Sequence, residues 1–345
     1  MKAAYLTGIR KLEAGDAPSP DGIGEQDVLL RVDVVGVCGS DIHYFTDGRI
    51  GCQVVQFPWI LGHELGATVL KVGGSVTSLR AGQSVAVDPL VACHRCDQCM
   101  SGRIHTCRDQ RFLGCPGQMP GALAQYLVMP EQCCLAMPEG QSAVRAALTE
   151  PLAIALHTRN LAAVGGGAHV AILGCGPIGL CVLAALGESC DCRTFVTDLL
   201  DYRLELARRY GAAWTGNAAT GDVVEKIRSA QPLGMDVVFE CAGKQETLDQ
   251  AVQLLKPGGK LVLVGIPPHD RISVDMNDLR RKELTLQCVR RQNECVEEAI
   301  EMLSTGRLDL DGLVTHNYRL GESQKAFDTV ADYRDGVFKA MIHLA

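Results

Sequence analysis

Apolar and polar positions follow two different patterns along this chain. In roughly the first 150 residues, short runs of alternating and β-branched residues predict strands at 28–35, 69–72 and 84–87. Glycine-containing steps separate these runs, as turns separate neighbouring strands. The N-terminal part of the chain is therefore predicted to be rich in β-structure.

From about residue 168 the pattern changes to short apolar strands that alternate with helical segments. This alternation predicts a doubly wound parallel sheet with helices on both faces. The predicted strands cover 169–173, 194–196, 235–239 and 260–264, and the predicted helices cover 180–185, 202–210, 223–230 and 245–255. A strand at 284–289 and a helix at 294–304 follow, and the stretch 313–345 is expected to return to the first domain.

The bulk properties exclude several classes of function. A length of 345 residues indicates two domains with separate cores. A net charge of −7, with no basic cluster, argues against a nucleic-acid partner. The apolar run 170–187 reaches the length of a membrane span, but glycines and a proline interrupt it, so no membrane partner is predicted. Sixteen cysteines and no signal peptide predict a reducing, cytoplasmic location.

Residues 93–107, called the cysteine lobe below, hold four cysteines in Cys-x2-Cys-x2-Cys-x7-Cys order. Four thiolates can close the tetrahedron of a structural zinc site, and tandem Cys-x2-Cys spacing is a strong zinc signal. The alternative is four free thiols or a disulfide pair. The predicted ligands are Cys93, Cys96, Cys99 and Cys107.

A glycine-rich turn at Gly174–Gly179 follows an apolar strand and opens a helix, as in a dinucleotide-binding site. The turn and the helix N-terminus suit a pyrophosphate. Asp198 ends the next strand, where an acidic residue accepts ribose hydroxyls and repels a 2′-phosphate, so NAD is favoured over NADP. A simple helix cap at Asp198 is the alternative, and Arg203 is a nearby cation that a 2′-phosphate would attract.

A second, open metal site is predicted from three separated segments. Cys38 follows a strand, His63 and Glu64 stand in a Gly-His-Glu triplet, and Glu150 precedes a proline. A thiolate, an imidazole and a carboxylate suit a catalytic zinc that keeps one position for water or substrate. Taken singly, Cys38 and His63 are more often structural residues.

These motifs stand in one order along nearly the whole chain. They are Cys38–Tyr44, Gly62–Glu64, the cysteine lobe, Thr149–Leu152, Gly174–Gly179, Thr197–Leu199 and Phe239–Gly243. In this order the chain resembles the zinc-containing medium-chain dehydrogenases, in particular the polyol branch typified by sorbitol (L-iditol 2-) and xylitol dehydrogenases. The resemblance implies a GroES-like catalytic domain from residues 1–150 and 286–345, with a Rossmann NAD-binding domain at 151–285.

The resemblance also implies a role for single residues. Cys38, His63 and Glu64 match the catalytic zinc ligands, and Glu150 matches a carboxylate that holds zinc or its water. Ser40 and His43 match a proton relay. Tyr44, Phe112, Glu150 and Arg290 match substrate-pocket positions, and the cofactor positions are Gly174, Gly176, Pro177, Ile178, Gly179, Asp198, Arg203, Val264 and Gly265. Arg291 departs from the tyrosine that is usual in animal sorbitol enzymes, and it suits either an anionic substrate or a surface position.

The function implied is oxidation of a secondary alcohol of a polyol to a ketose, with zinc as Lewis acid and hydride transfer to NAD. The alternatives are the same chemistry on a polyol phosphate, a sugar acid or L-threonine. A non-catalytic protein that binds metal and nucleotide is a remote alternative. The expected partners are a small-molecule substrate and further copies of the chain, as a tetramer or a dimer.

Overall fold

The computed structural model describes residues 1–344 and divides into two compact units. Unit 1 contains Met1–Glu150 and the C-terminal segment that begins at Val296, and unit 2 contains Pro151–Cys295. The first boundary lies inside one helix, at the step from Glu150 to Pro151.

Nineteen strands run through the described residues. In chain order they are β1 (Lys2–Gly8), β2 (Lys11–Asp16), β3 (Asp27–Gly36), β4 (Arg49–Ile50), β5 (Gln53–Val54), β6 (Glu64–Val72), β7 (Ser84–Val87), β8 (Leu90–Val91), β9 (Arg111–Phe112), β10 (Tyr126–Pro130), β11 (Cys134–Ala136), β12 (His169–Leu173), β13 (Arg193–Asp198), β14 (Trp214–Asn217), β15 (Met235–Glu240), β16 (Leu255–Leu263), β17 (Thr285–Cys288), β18 (Val314–Arg319) and β19 (Lys339–His343).

Ten α-helices accompany these strands, together with five short 3-10 helices. The α-helices are α1 (Gly39–Asp47), α2 (Asp97–Met100), α3 (Ala143–Ala162), α4 (Pro177–Ser189), α5 (Asp201–Arg209), α6 (Val223–Ala230), α7 (Gln245–Leu254), α8 (Met276–Arg281), α9 (Val296–Ser304) and α10 (Ser323–Ala331). The 3-10 helices are Ile104–Thr106, Glu131–Cys133, Asp311–Leu313, Leu320–Glu322 and Arg334–Gly336. None of the helices within residues 1–344 is both long and apolar enough to cross a membrane.

Unit 1 is built on a seven-stranded sheet with β3 near its centre. The order is β11-β7-β6-β3-β19-β18, and β10 also pairs with β3. Residues of β3 alternate between buried and more exposed positions, as expected for a strand with one face on a core. Strand β19 pairs antiparallel with the end of β3, so that Met341 lies opposite Gly36. The C-terminal segment therefore reaches the part of β3 that leads to Cys38.

Unit 2 is built on a six-stranded parallel sheet in the order β14-β13-β12-β15-β16-β17. In terms of this sheet's own strands the order is 3-2-1-4-5-6, which is the arrangement of a Rossmann fold. The order reverses at β12, the strand that leads into the glycine-rich turn, and ligands bind at such switch points. Apolar side chains from these strands and from α6, α7 and α8 form a separate core.

Three features differ from the sequence-based expectations. The pattern did not predict α3, a 20-residue helix that begins at Ala143. The chain leaves unit 2 after Cys295 and not at 285, because β17 is hydrogen-bonded in parallel to β16 and belongs to the sheet of unit 2. Strand β17 also ends at Cys288, earlier than the predicted 289.

Candidate metal centres and dinucleotide site

The four cysteines of the cysteine lobe converge on one point. Their sulfur atoms all lie within 4.8 Å of one another, and the Sγ of Cys96 is 3.6 Å from that of Cys99 and 4.0 Å from that of Cys107. The backbone N–H of Cys93 donates to the Sγ of Cys107 over 3.2 Å. All sixteen cysteines are free thiols in residues 1–344. Four sulfurs in this arrangement fit a closed zinc site.

Local hydrogen bonds in the cysteine lobe favour the thiolate form of Cys96. Backbone N–H groups of Arg108 and Cys99 lower the pKa of Cys96 to about 6, whereas burial raises the pKa of Cys99 to about 12. An ion pair between Arg108 and Asp97, 2.9 Å between Nη2 and Oδ2, links the residue after the lobe to the first residue of α2. The donors come from the lobe and from Arg108, the residue directly after it, so local chain supplies them.

Cys38, His63 and Glu64 form a second cluster, called the open site below. One ligand atom from each lies within 4.8 Å of the other two. Cys38 is the N-cap of α1, and Glu64 is the first residue of β6. His63 and Glu64 are 6% and 2% exposed. Gly36 pairs with Glu64 across β3 and β6, so the sheet brings the chain just before Cys38 next to the Gly-His-Glu triplet.

Asp41 connects the two segments of the open site. Its side chain is 1% exposed and accepts hydrogen bonds from the N–H of Cys38 and the N–H of Gly62, both over 3.2 Å. Its Oδ1 lies 3.5 Å from Nδ1 of His63, which leaves Nε2 for a metal. Burial acts to lower the pKa of His63, but the charges of Asp41 and Cys38 outweigh burial and raise it.

Asp41 was not among the site residues predicted from the sequence. The sequence does contain a pattern that could have identified it. Asp41 is the third residue of α1, and its carboxylate accepts a hydrogen bond from the N-cap amide, as in a capping box. The same position places the carboxylate against the imidazole of His63. An acidic residue three positions after a candidate thiolate ligand is therefore informative.

Lys339 is a second residue that the sequence analysis missed. It is 2% exposed, its Nζ is ion-paired with Oε2 of Glu64, and it donates to the carbonyl of Val37 over 3.2 Å. The available signal is a lysine inside the apolar run from Phe338 to Ile342. A buried lysine needs a partner, but short-range patterns do not tell which carboxylate provides it.

Glu150 lies in α3 and is 8% exposed. Burial raises the pKa of Glu150 to about 7, the charges of His63 and Lys339 act to lower it, and the charge of Glu64 acts to raise it. Glu150 is not part of the group of ligand atoms within 4.8 Å of one another. The carboxylate is therefore an electrostatic neighbour of the open site.

Four further predicted residues lie around the open site or on α1. Ser40 Oγ donates to the Sγ of Cys38 over 3.4 Å, and the ring of Phe112 lies 5.4 Å from that of His63, measured between centroids. Tyr44 is 5% exposed, and its hydroxyl donates to Oε1 of Gln53 over 3.1 Å. The Nδ1 of His43 is 3.5 Å from a carboxylate oxygen of Asp47.

Arg290 and Arg291 belong to unit 2 and follow the end of β17 at Cys288. Side chains alternate between faces only within a strand, so this alternation does not apply to the two arginines. Arg290 is exposed, whereas Arg291 is half-buried and has a φ of +54°.

At two of the three glycines in the glycine-rich turn, any larger residue would clash with neighbouring atoms. Gly174 has a φ of +94°, and a Cβ there would lie 2.9 Å from Ala242. A Cβ on Gly179 would overlap the carbonyl oxygen of Gly174, so this glycine permits close packing of α4 against the turn. Helix α4 begins with Pro177 and Ile178, and Gly176 is its N-cap. The free N–H groups at this helix end suit a phosphate.

Asp198 ends β13 beside this turn, but protein groups already surround its carboxylate. Oδ2 accepts from the N–H of Cys175 over 2.7 Å, and Oδ1 accepts from the N–H groups of Leu199 and Leu200 over 2.8 and 3.0 Å. Arg203 Nη1 lies 3.5 Å from Oδ2, and both side chains are mostly buried. A ribose hydroxyl at Asp198 would therefore have to share the carboxylate with these donors.

Val264 and Gly265 follow the end of β16. Their N–H groups both donate to the carbonyl of Glu240 over 2.9 Å, and a Cβ on Gly265 would overlap the backbone nitrogen of Gly243. The side chain of Glu240 accepts from Ala242, Gly243 and Thr247 and is 3% exposed. Glu240 thus holds the loop after β15 against the chain after β16, a role that the sequence analysis did not assign.

Two family models match the chain. The alcohol dehydrogenase GroES-like domain matches residues 24–139, and the zinc-binding dehydrogenase domain matches residues 177–305. A sorbitol dehydrogenase from Bacillus subtilis (strain 168) is 36% identical over 99% of this chain and 97% of its own length. The chain belongs to the zinc-binding alcohol dehydrogenases. It is an oxidoreductase of this family, and the predicted family and fold class are confirmed.

Two further similar proteins extend the comparison. An L-idonate 5-dehydrogenase from Vitis vinifera is 33% identical over 95% of this chain and 91% of its own length. A zinc-binding dehydrogenase from Sinorhizobium meliloti 1021, solved bound to NADP, is 29% identical over 99% of both chains with a TM-score of 0.91. Both likenesses extend over nearly the entire chain.

Proposed function

We propose that this zinc-binding dehydrogenase oxidises a secondary alcohol of a polyol to a ketose and transfers the hydride to NAD. The observation that carries the proposal is the open site, where a thiolate, an imidazole and a carboxylate come within 4.8 Å of one another. Three ligands of these types are typical of a catalytic zinc with one free position. The non-catalytic alternative does not account for such a buried and supported donor set.

Cys38, His63 and Glu64 fit zinc by chemistry as well as by position. Asp41 orients the imidazole, as the outer-shell carboxylates of metal-bound histidines commonly do. Zinc bound there supplies a Lewis acid that lowers the pKa of a substrate hydroxyl, and NAD bound to unit 2 supplies the hydride acceptor. We assign the second, structural zinc to the four cysteines of the cysteine lobe.

We assign the proton path to α1. Ser40 has a hydroxyl that donates to the Sγ of Cys38, so it lies next to the metal position and can exchange a proton with a substrate there. His43 is one helical turn further along α1, and its Nδ1 lies 3.5 Å from Oδ2 of Asp47, so an imidazole stands at the next position along the helix. The two residues would pass the alcohol proton away from the metal.

We assign substrate binding to Tyr44, Phe112 and Glu150 of unit 1, and we propose Arg290 of unit 2 as a further substrate-binding residue. Hydroxyl, carboxylate and guanidinium groups suit the row of hydroxyls on a polyol, and the Bacillus subtilis relative is a sorbitol dehydrogenase. The Vitis vinifera relative is an L-idonate 5-dehydrogenase, so a sugar acid is the main alternative, with a polyol phosphate or L-threonine behind it. Arg291 next to Arg290 would suit an anionic substrate.

We favour NAD over NADP because Asp198 presents a carboxylate next to the glycine-rich turn. The Sinorhizobium meliloti structure contains NADP, and the guanidinium of Arg203 is a local cation that a 2′-phosphate could attract. We also propose a homo-oligomer, a tetramer or a dimer, as the resemblance implies. Sixteen free thiols support a reducing compartment such as the cytoplasm.

The test is a spectrophotometric assay of cofactor reduction with NAD or NADP over a panel of polyols, sugar acids, polyol phosphates and L-threonine. Turnover of a neutral polyol with NAD is the expected result. Arg290→Ala should raise KM for that polyol, losing about 1–3 kcal/mol, and Arg291→Ala is the matched control. Turnover of only anionic substrates, lost in Arg291→Ala, would replace the polyol proposal by the sugar-acid or phosphate alternative.

A further inference from the structure

Lys339 is buried beside the open site although it binds no substrate in the proposed function. The side chain is 2% exposed, and it comes from β19, near the opposite end of the chain from the open-site ligands. A buried ammonium is costly unless it is paired and hydrogen-bonded. Its partners include Oε2 of Glu64 and the carbonyl oxygen of Val37, the residue directly before Cys38.

The surrounding backbone leaves room for this ion pair. A Cβ on Gly36 would overlap Oε2 of Glu64 and would lie 3.1 Å from Cε of Lys339. Gly36 is the last residue of β3, and it faces Glu64 on β6 and Met341 on β19. The lysine and the carboxylate therefore meet over a glycine, at the junction of three strands.

Glu64 is shared between Lys339 and the metal position. Its Oε2 is ion-paired with the lysine, while a carboxylate oxygen of Glu64 lies within 4.8 Å of the donor atoms of Cys38 and His63. A carboxylate has lone pairs for both partners. An ammonium on one oxygen withdraws electron density from the carboxylate and adds a positive charge near the metal position.

We propose that Lys339 is a positioning residue that holds Glu64 and weakens its hold on the zinc of the open site. A less strongly donating carboxylate leaves the ion a stronger Lewis acid. The inference rests on the proposed role of Glu64 as a zinc ligand. It predicts that the lysine keeps zinc affinity lower than the three ligands alone would give.

The test measures zinc affinity at the open site by competition with a chromogenic chelator, with the cysteine lobe loaded. In Lys339→Met, zinc should bind about 10- to 100-fold more tightly, the size of effect usual for outer-shell partners. Lys71→Met is the matched control, since Lys71 is an exposed lysine on β6, the strand of Glu64, and its affinity should equal that of the unmodified protein. Unchanged or weaker binding in Lys339→Met would overturn the inference.

A double-variant cycle shows whether the effect passes through Glu64. In Glu64→Gln, adding Lys339→Met should change zinc affinity by clearly less than it does with Glu64 present, because only the direct repulsion between the ammonium and the ion is left. A full 10- to 100-fold change in that background would contradict the inference.

If Lys339→Met is unstable without metal, the difference in melting temperature between zinc-loaded and zinc-stripped protein replaces the titration. The inference requires this difference to widen relative to the unmodified protein, since tighter binding stabilises the loaded form more. A difference that stays equal or narrows would overturn it. None of these measurements depends on turnover, so the absence of polyol oxidation would refute the proposed function and leave the inference standing.

Discussion

The two cysteine-containing metal sites of unit 1 are assembled in opposite ways. The cysteine lobe takes its four ligands from residues 93–107, three of them half-buried, and its N–H donors come from the same residues and from Arg108 directly after them. The open site takes Cys38 from the start of α1 and two ligands from the start of β6. Its supporting charges are buried, and one of them, Lys339, comes from β19.

Because of this difference, we expect the cysteine lobe to contribute to stability and the open site to contribute to catalysis. A local loop with four sulfurs is coordinatively closed, so its metal can only stabilise the structure. The open site has three ligands. Asp41 contacts His63, and Lys339 is ion-paired with Glu64, so both ligands are held by neighbouring charged side chains. Changes at the first site should therefore alter stability, and changes at the second should alter activity and zinc affinity.

The largest effect is expected for Cys38→Ser. Loss of the thiolate should remove the open-site zinc and lower kcat/KM by about a thousandfold or more, because a Lewis acid contributes several kcal/mol to such a reaction. Zinc content should fall from two ions per chain to one, while the melting temperature changes little. Cys52→Ser, at an exposed cysteine, is the control and should keep both ions. An active Cys38→Ser protein would refute the assignment.

Cys96→Ser should show the opposite pattern. Zinc content should again fall to one ion per chain, and the melting temperature should fall by roughly 5–10 °C, because a structural zinc contributes folding free energy. The folded fraction should keep a kcat within about twofold of the original, since the open site has its own ligands. Calorimetry together with active-site titration measures both. A stable but inactive variant would show that the lobe takes part in catalysis.

The same contrast explains what could be predicted from the sequence. The cysteine lobe and the glycine-rich turn are local patterns, and the structure brings their residues together as the spacing indicates. The two family domains were likewise recognisable, because their motifs stand in one order along the chain. The spacing of residues in the sequence was sufficient to predict a site wherever one loop supplies all of its functional groups.

What the sequence did not reveal depends on contacts between distant segments. Lys339 meets Glu64 only because β19 pairs with β3, and a partner 275 positions away leaves no short-range signal. The boundary at Cys295 depends on the pairing of β17 with β16. The carboxylate of Asp198 accepts hydrogen bonds from the N–H groups of Cys175, Leu199 and Leu200. The bond from Cys175 forms only because the glycine-rich turn lies beside the end of β13.

A smaller effect is expected for Asp41→Asn. The amide keeps the size of the side chain but loses the charge that orients His63, so open-site zinc affinity should fall about 10- to 100-fold. The affinity of the cysteine lobe should stay unchanged, which a two-site chelator competition resolves. Asp21→Asn, at an exposed aspartate, serves as the matched control. Equal loss at both sites would mean that Asp41 supports the fold of unit 1 rather than the open site.

The smallest effects are expected from a pair of glycines, one at each site. Gly36→Ala places a methyl group against Glu64 and Lys339, which should cost about 1–3 kcal/mol by overpacking and should shift open-site zinc affinity. Gly102→Ala meets no atom within 4 Å, but its φ of +75° disfavours alanine by roughly 1–2 kcal/mol.

Chemical denaturation and zinc competition together distinguish the steric clash in Gly36→Ala from the backbone strain in Gly102→Ala. Gly102→Ala should lose stability with open-site affinity intact, because its strain stays within an exposed turn of the cysteine lobe. Gly36→Ala should lose both, because its methyl group displaces a ligand-bearing carboxylate. If Gly36→Ala changed stability alone, Glu64 would not be held at the metal position by the packing of β3, β6 and β19, and the proposed link between the C-terminal strand and the open site would fail.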